Sequence, residues 1–264
     1  MYGAVVVGYA AVAVAFSWPL PLHFATHLTG ATTGDTGVYV WNQWVFQHEV
    51  FEARRLPYFT DTIFSLSGSD ANLSLHNYTP FQDLVALPFI STLGVAATFN
   101  MVMLAMHVLT AFAMFLLARH VTGRVAESWL AGLAFAWSPV LVTRSMGHFS
   151  LVAAAPLAVF VLLLLKTAAR ERPGWRDAVA LGATIWWATS TDVYYGVYCL
   201  MLGAIFMMGR VVHVVKTRTE TVRAVRLTLD VLIVSTAALV AAIAVSGGWA
   251  FVVFDQPVGM KTLY

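Results

Sequence analysis

The chain has 264 residues, of which 59% are hydrophobic and 11% charged, with a mean hydropathy of +0.76. A soluble domain carries roughly 25% charged residues, so a water-soluble fold of this composition would expose more apolar surface than water tolerates. The net charge of +2, drawn from 15 basic and 13 acidic residues without a basic run, argues against a nucleic-acid partner. Cys199 is the only cysteine, which excludes an internal disulfide and a zinc site built on cysteine pairs. What remains is an all-α class, a polytopic bundle of transmembrane helices.

A span needs about 20 mostly apolar residues to cross a hydrocarbon core roughly 30 Å thick. The first falls at 3–22; no Lys or Arg precedes it and Pro19 and Pro21 follow it, so it reads as a span and not as a cleaved signal peptide. Further spans are expected at 96–118, 128–143, 150–165, 177–191, 193–209 and 229–248, seven in all, forming one module over 1–264. The run from Leu84 to Ala118, broken by Pro88 and Gly94, reads either as one span with an interfacial or re-entrant helix, or as two short spans. The positive-inside rule selects one, because 11 of the 15 basic residues then fall in cytoplasmic segments. That orientation puts the N-terminus in the cytoplasm and the C-terminus outside.

Eight of the 13 acids then lie outside, with the largest loop, about 23–82. Gly37 to Arg54 is aromatic and lacks proline; Trp41, Trp44, Val45 and His48 fall at helical spacing and predict a helix along the membrane surface. The following Ser65–Asp70 stretch is polar and reads as irregular. Short basic loops mark the cytoplasmic side, so chemistry is expected on the outer face.

Asp35 follows the first span. A carboxylate there can accept a proton from an acceptor hydroxyl or hold a divalent cation beside a phosphate; the alternative is an N-cap for the next helix. Arg144 and His148 occupy the short outer loop between the third and fourth spans, where Arg144 runs against the orientation bias. An Arg beside a His suits a phosphate or diphosphate, and the alternative is an Arg reaching for lipid headgroups. Asp192 sits at the outer turn between the fifth and sixth spans, as a functional acid or as a helix cap. Tyr194 and Tyr195 read as a substrate platform or as interfacial aromatics. His76, Asn77, Tyr78 and Asp83 close the first outer loop and are weaker candidates for the same site. His107 reads as a hydrogen-bonded core residue. The eight histidines are read as scattered, and no zinc site is inferred.

Taken in order, Gly34-Asp35 with Tyr39 and Trp41, then Phe99-Asn100, Ala134 to Pro139, Gly147-His148-Phe149 and the Tyr194-Tyr195 pair form a pattern. It resembles the bacterial members of the GT-C superfamily, integral-membrane glycosyltransferases of the protein mannosyltransferase and lipid A aminoarabinose transferase kind. The resemblance covers about residues 3–215. It implies transfer of a sugar, usually with inversion, from a polyprenyl-phosphate carrier in the bacterial inner membrane to a glycan, lipid or protein acceptor outside the cytoplasm. Asp35 takes the place of the catalytic loop acid, as base or as contact to Mg²⁺ or Mn²⁺. Arg144 and His148 would hold the donor phosphate, while Asp192, Tyr195, Tyr39 and His76 would complete the substrate pocket. Many members pair two acids in this loop, whereas here Gly34 and Thr36 flank Asp35. Members are usually longer, so a truncated module is one reading of the chain. The alternative class is a non-catalytic membrane subunit or a lipid or sugar transporter. Spans nearly free of charge argue against ion-coupled transport.

Overall fold

The computed structural model of the chain describes residues 1–30, 34–63, 70–75 and 78–211, together with parts of 227–260. It divides into two compact units, Met1–Arg210 and Val211–Tyr264. The first is helical: α1 (Tyr2–Phe16), α2 (Thr36–Gln47), α3 (Pro80–Leu93), α4 (Val95–Thr122), α5 (Val125–Ala136), α6 (Pro139–Arg144), α7 (Ala155–Ala168), α8 (Trp175–Thr191) and α9 (Val193–Val211). One antiparallel pair interrupts its first loop, β1 (Phe59–Thr60) with β2 (Ala71–Asn72). In the second unit β3 (Trp249–Val253) pairs antiparallel with β4 (Gln256–Met260). Half of the expected span at 229–248 lies outside the described residues. Among the described residues three helical stretches are long and apolar enough to cross a membrane: Val95–Thr122, Val125–Arg144 and Phe149–Ala168. Tyr2–Phe16 and Val193–Gly209 are apolar but shorter.

One feature departs from the sequence reading. Helix α1 stops at Phe16, not near residue 22, because Pro19 and Pro21 cannot continue it and the chain turns through a 3₁₀ segment at Leu20–His23. The long run after Leu84 divides at Gly94, whose φ of +77° only glycine adopts without strain. Pro88 stays inside α3. At 1.5 Å per residue, the 14 residues of α3 reach about 21 Å, short of a hydrocarbon core.

Helix α4 is the axis of the first unit and packs against α1, α3, α5 and α7. Its buried face is apolar except where a polar group has work to do. Thr110 Oγ1 donates to Val152 O at 3.0 Å, and His107 Nδ1 lies 3.1 Å from Met103 O, within its own helix as expected. Helix α1 is fastened by Tyr9, fully buried, whose ring stacks on Trp129 at 5.4 Å and whose hydroxyl donates to Trp129 O at 2.8 Å. Gly132 makes room for it: a Cβ there would stand 2.1 Å from the Tyr9 hydroxyl.

The first loop is a built structure. Helix α2 packs on α3 and α4 and continues into a π-helical turn at His48–Glu52. The predicted surface face does not act as one: Val45 is fully buried while Trp44 is exposed and stacks on His48 at 5.3 Å. The face that packs inward carries Tyr39, Asn42, Gln43 and Phe46. Glu49, fully buried, receives two bonds from Arg55, which also reaches Asp61 at 3.0 Å and Asp70 at 3.5 Å. One guanidinium thus gathers three acids and ties the β1–β2 pair to the end of α2.

Candidate functional site

Asp35 begins α2 at the N-cap position. Its carbonyl accepts from the amides of Val38 and Tyr39, but its carboxylate makes no capping bond. The side chain faces His148 instead, with Asp35 Oδ2 at 3.4 Å from His148 Nδ1. Both partners keep solvent contact, Asp35 at 39% and His148 at 51%, so the pair is weak and open to exchange with a ligand.

Glycines allow this approach. Gly30 has φ +109°, and a Cβ there would stand 2.6 Å from Thr36 Oγ1 and 2.9 Å from Phe149 Cζ. Gly147 packs on Gly34 and Asp35, with space for a Cβ at 3.5 Å from Gly34 Cα. The start of the first loop and the α6–α7 turn are therefore docked backbone to backbone. Ser138 and Pro139 break α5 from α6, Ser138 Oγ accepting from Leu141 N at 3.4 Å, and the break delivers Arg144 to the turn. Arg144 ends α6, and its carbonyl accepts from His148 N at 2.8 Å. Its side chain is exposed and, among the described residues, has no ion-pair partner.

Tyr39 is four residues after Asp35 and buried. Its hydroxyl shares a 3.0 Å bond with Ser150 Oγ, and its ring meets Phe149 edge-on at 5.5 Å. Burial raises the phenol above its usual value, the Ser150 bond offsets part of that, and the charges of Asp192 and Asp35 add to it. Asp35 and Asp192 thus both lie near enough to act on the buried Tyr39 hydroxyl. Asp192 is 8% exposed; it ends α8, and its Oδ1 accepts from Tyr194 N at 2.8 Å. It is a cap and a site wall at once.

The remaining expectations separate. Tyr195 is buried against Leu141, Phe160 and Cys199, with its hydroxyl on Leu151 O, so it shapes the site from behind and presents no platform. Tyr194 is 59% exposed. Asp83 is fully buried in the first turn of α3, bonded to Thr79, and stands apart from the Asp35–His148 pair. His76 and Asn77 lie outside the described residues. Among the described residues no group of three or more His, Cys, Asp or Glu could hold a metal ion.

Two neighbouring histidines escaped the sequence reading. His23 and His27 stand four apart, with ring centroids 4.7 Å apart. The buried Asn100 fixes their turn: its Nδ2 donates to Phe24 O at 2.8 Å and His27 O at 2.7 Å, and its Oδ1 accepts from Thr29 N at 3.3 Å. These histidines line a cavity of about 390 Å³ with Trp18, Thr29 and His107. Gly30 and Met146 line it too, from the segments that carry Asp35 and His148. A groove of about 530 Å³, walled by apolar residues such as Val6, Val14, Val85 and Phe112, shares Ala13 and Leu104 with that cavity. A second cleft, of about 440 Å³, lies beyond Tyr39 and is lined by Ser150, Asp192 and Tyr194 among others.

No curated protein and no solved structure matches the chain. A family profile does, over residues 5–262: the chain belongs to the DUF6311 family, described as a domain of unknown function.

Proposed function

We propose that the chain is a membrane glycosyltransferase that moves a sugar from a polyprenyl-phosphate carrier to an acceptor on the non-cytoplasmic side. The observation that carries this reading is the pairing of Asp35 with His148 beside the exposed Arg144, near a cavity that shares Ala13 and Leu104 with an apolar groove. A lipid carrier needs that combination, an apolar channel for its tail and basic groups where the head begins. The reading includes seven spans in the bacterial inner membrane, the N-terminus cytoplasmic and the C-terminus outside.

In the reaction the acceptor hydroxyl gives its proton to the Asp35 carboxylate as its oxygen attacks the anomeric carbon. The bond from that carbon to the phosphate oxygen breaks on the opposite face, and its electron pair leaves with the carrier phosphate. The Arg144 guanidinium and an N–H of the His148 ring oppose the charge that gathers there. His148 also orients Asp35 through their 3.4 Å contact. Attack opposite the leaving group inverts the anomeric centre. Among the described residues Asp35 is the one carboxylate paired with His148, so a Mg²⁺ or Mn²⁺ ion held there would take its other ligands from phosphate and water, and would supply charge neutralisation.

The test is transfer in isolated membranes from a panel of labelled polyprenyl-phosphate sugars, with and without Mg²⁺ or Mn²⁺. Asp35→Asn should lower transfer by about a hundredfold or more with the protein still folded. Full activity in that variant removes Asp35 from the chemistry. No transfer from the folded parent chain would favour a non-catalytic subunit.

A further inference from the structure

The cleft between the first loop and the α8–α9 turn has no part in holding the carrier, and its lining is chemically distinct. Its volume of about 440 Å³ is in the range small ligands occupy. Four aromatic rings face it: Tyr58 and Tyr78 from the loop, Trp186 from α8 and Tyr194 from α9. Trp186 is 67% exposed and Tyr194 59%, so their faces are available. Between them stand Ser190 and Asp192. Ser190 Oγ donates into its own helix, to Trp186 O at 2.8 Å, which leaves its lone pairs as acceptors. Asp192 commits Oδ1 to the Tyr194 amide, and among the described residues its second oxygen has no hydrogen-bond partner. No Lys, Arg or His lines the cleft among the described residues.

We propose that this cleft binds a neutral saccharide through its aromatic faces and the Asp192 carboxylate. A pyranose ring presents a face of weakly positive C–H groups, which suits the negative face of an aromatic ring. Its hydroxyls are donors, and the cleft offers acceptors. A phosphate or carboxylate ligand is disfavoured, because Asp192 would repel it and, among the described residues, no Lys, Arg or His lines the cleft to offset that. The two sides of the site thus divide by charge, with anion-binding groups at Arg144 and His148 and acceptor groups at Asp192. Ser150 joins them, since it lines this cleft, bonds to Tyr39 and lies two residues from His148. Only the further statement that the saccharide is the acceptor of the transfer rests on the glycosyltransferase reading. An interfacial aromatic belt accounts for Trp186 and Tyr194, but not for a buried carboxylate opening between them.

The test is saturation-transfer NMR on the full chain in nanodiscs of phosphatidylethanolamine and phosphatidylglycerol, which keeps sugar detergents and choline away. The probes are methyl glycosides of glucose, mannose and galactose, with tetramethylammonium as the competing cation. Saturation of ring C–H protons is expected from at least one glycoside, lost in Trp186→Ala and weakened at least tenfold in Asp192→Asn. Asn keeps an oxygen for the Tyr194 amide, and Trp186 is exposed, so both variants should fold and melt like the parent. No saturation from any glycoside, or displacement of the glycoside by tetramethylammonium at equal concentration, overturns the proposal. Glycoside binding without any sugar transfer would sink the glycosyltransferase reading and keep the cleft; transfer without glycoside binding would do the reverse.

Discussion

Replacing Asn100 by leucine removes three hydrogen bonds from the turn that carries His23 and His27 while filling nearly the same space. The amide holds Phe24 O and His27 O at 2.8 and 2.7 Å and accepts from Thr29 N at 3.3 Å. At about 1 kcal/mol net per bond, the turn loses about 3 kcal/mol against its open form. At 1.4 kcal/mol per tenfold, that raises the open population by roughly a hundredfold. Hydrogen exchange in lipid nanodiscs reads this directly. The Thr29 amide should exchange about a hundredfold faster, and so should those of Thr26 and His27, which bond to His23 O. Amides in the middle of α4 should not change. If Thr29 exchanges within about twofold of the parent rate, Asn100 is a spectator and the turn is held by its own backbone.

Gly132→Ala should lower the melting temperature through overpacking of about 1–3 kcal/mol, because its methyl would meet the Tyr9 hydroxyl and Ala111 O; an unchanged melt would mean that α1 shifts freely. Burial alone would raise the Glu49 carboxyl, but the bonds from Arg55 and Thr60 outweigh it and hold it below the usual range. A depressed carboxylate stabilises the fold above its unfolded value near 4.3 and loses that contribution as pH falls through the folded one. Limited proteolysis of residues 51–58 should therefore be slow at neutral pH and quicken only below about pH 4. Glu49→Gln should be cut quickly at neutral pH. Tyr39→Phe removes the bond to Ser150, about 1 kcal/mol, and should reduce transfer more than it reduces melting temperature if the Tyr39–Ser150 pair couples the two sides of the site.

Composition and apolar runs were enough to place most helices, because a membrane-type helix announces itself by continuous hydrophobicity. The same property hides its neighbours: when every face is apolar, periodicity says little about which side packs on protein. So α2 was read by its aromatic stripe, whereas the packed side carries Asn42 and Gln43. Asp35, Arg144 and His148 stand out because ionisable residues are scarce, Arg144 and His148 in a short outer loop and Asp35 soon after the first span. The Arg55 cluster did not, since Glu49, Asp61 and Asp70 meet only after β1 pairs with β2. Asn100 belongs to the sequence pattern beside Phe99, but its task depends on residues more than 70 positions away. Trp186 looked like any apolar helix residue until α8 and the first loop came together around it. The His23–His27 spacing was visible throughout and was overlooked.

The groove that shares Ala13 and Leu104 with the cavity is walled by apolar side chains. Such a wall does not recognise what the tail lying on it belongs to. Any alkyl chain satisfies an apolar wall about equally per methylene, so a solubilising amphiphile is also an occupant. Purification in a long-chain detergent therefore amounts to adding an inhibitor at millimolar concentration. The measured affinity for a carrier will depend on what replaces the native lipid, and short-tailed or lipid-only preparations will show tighter binding from the same protein.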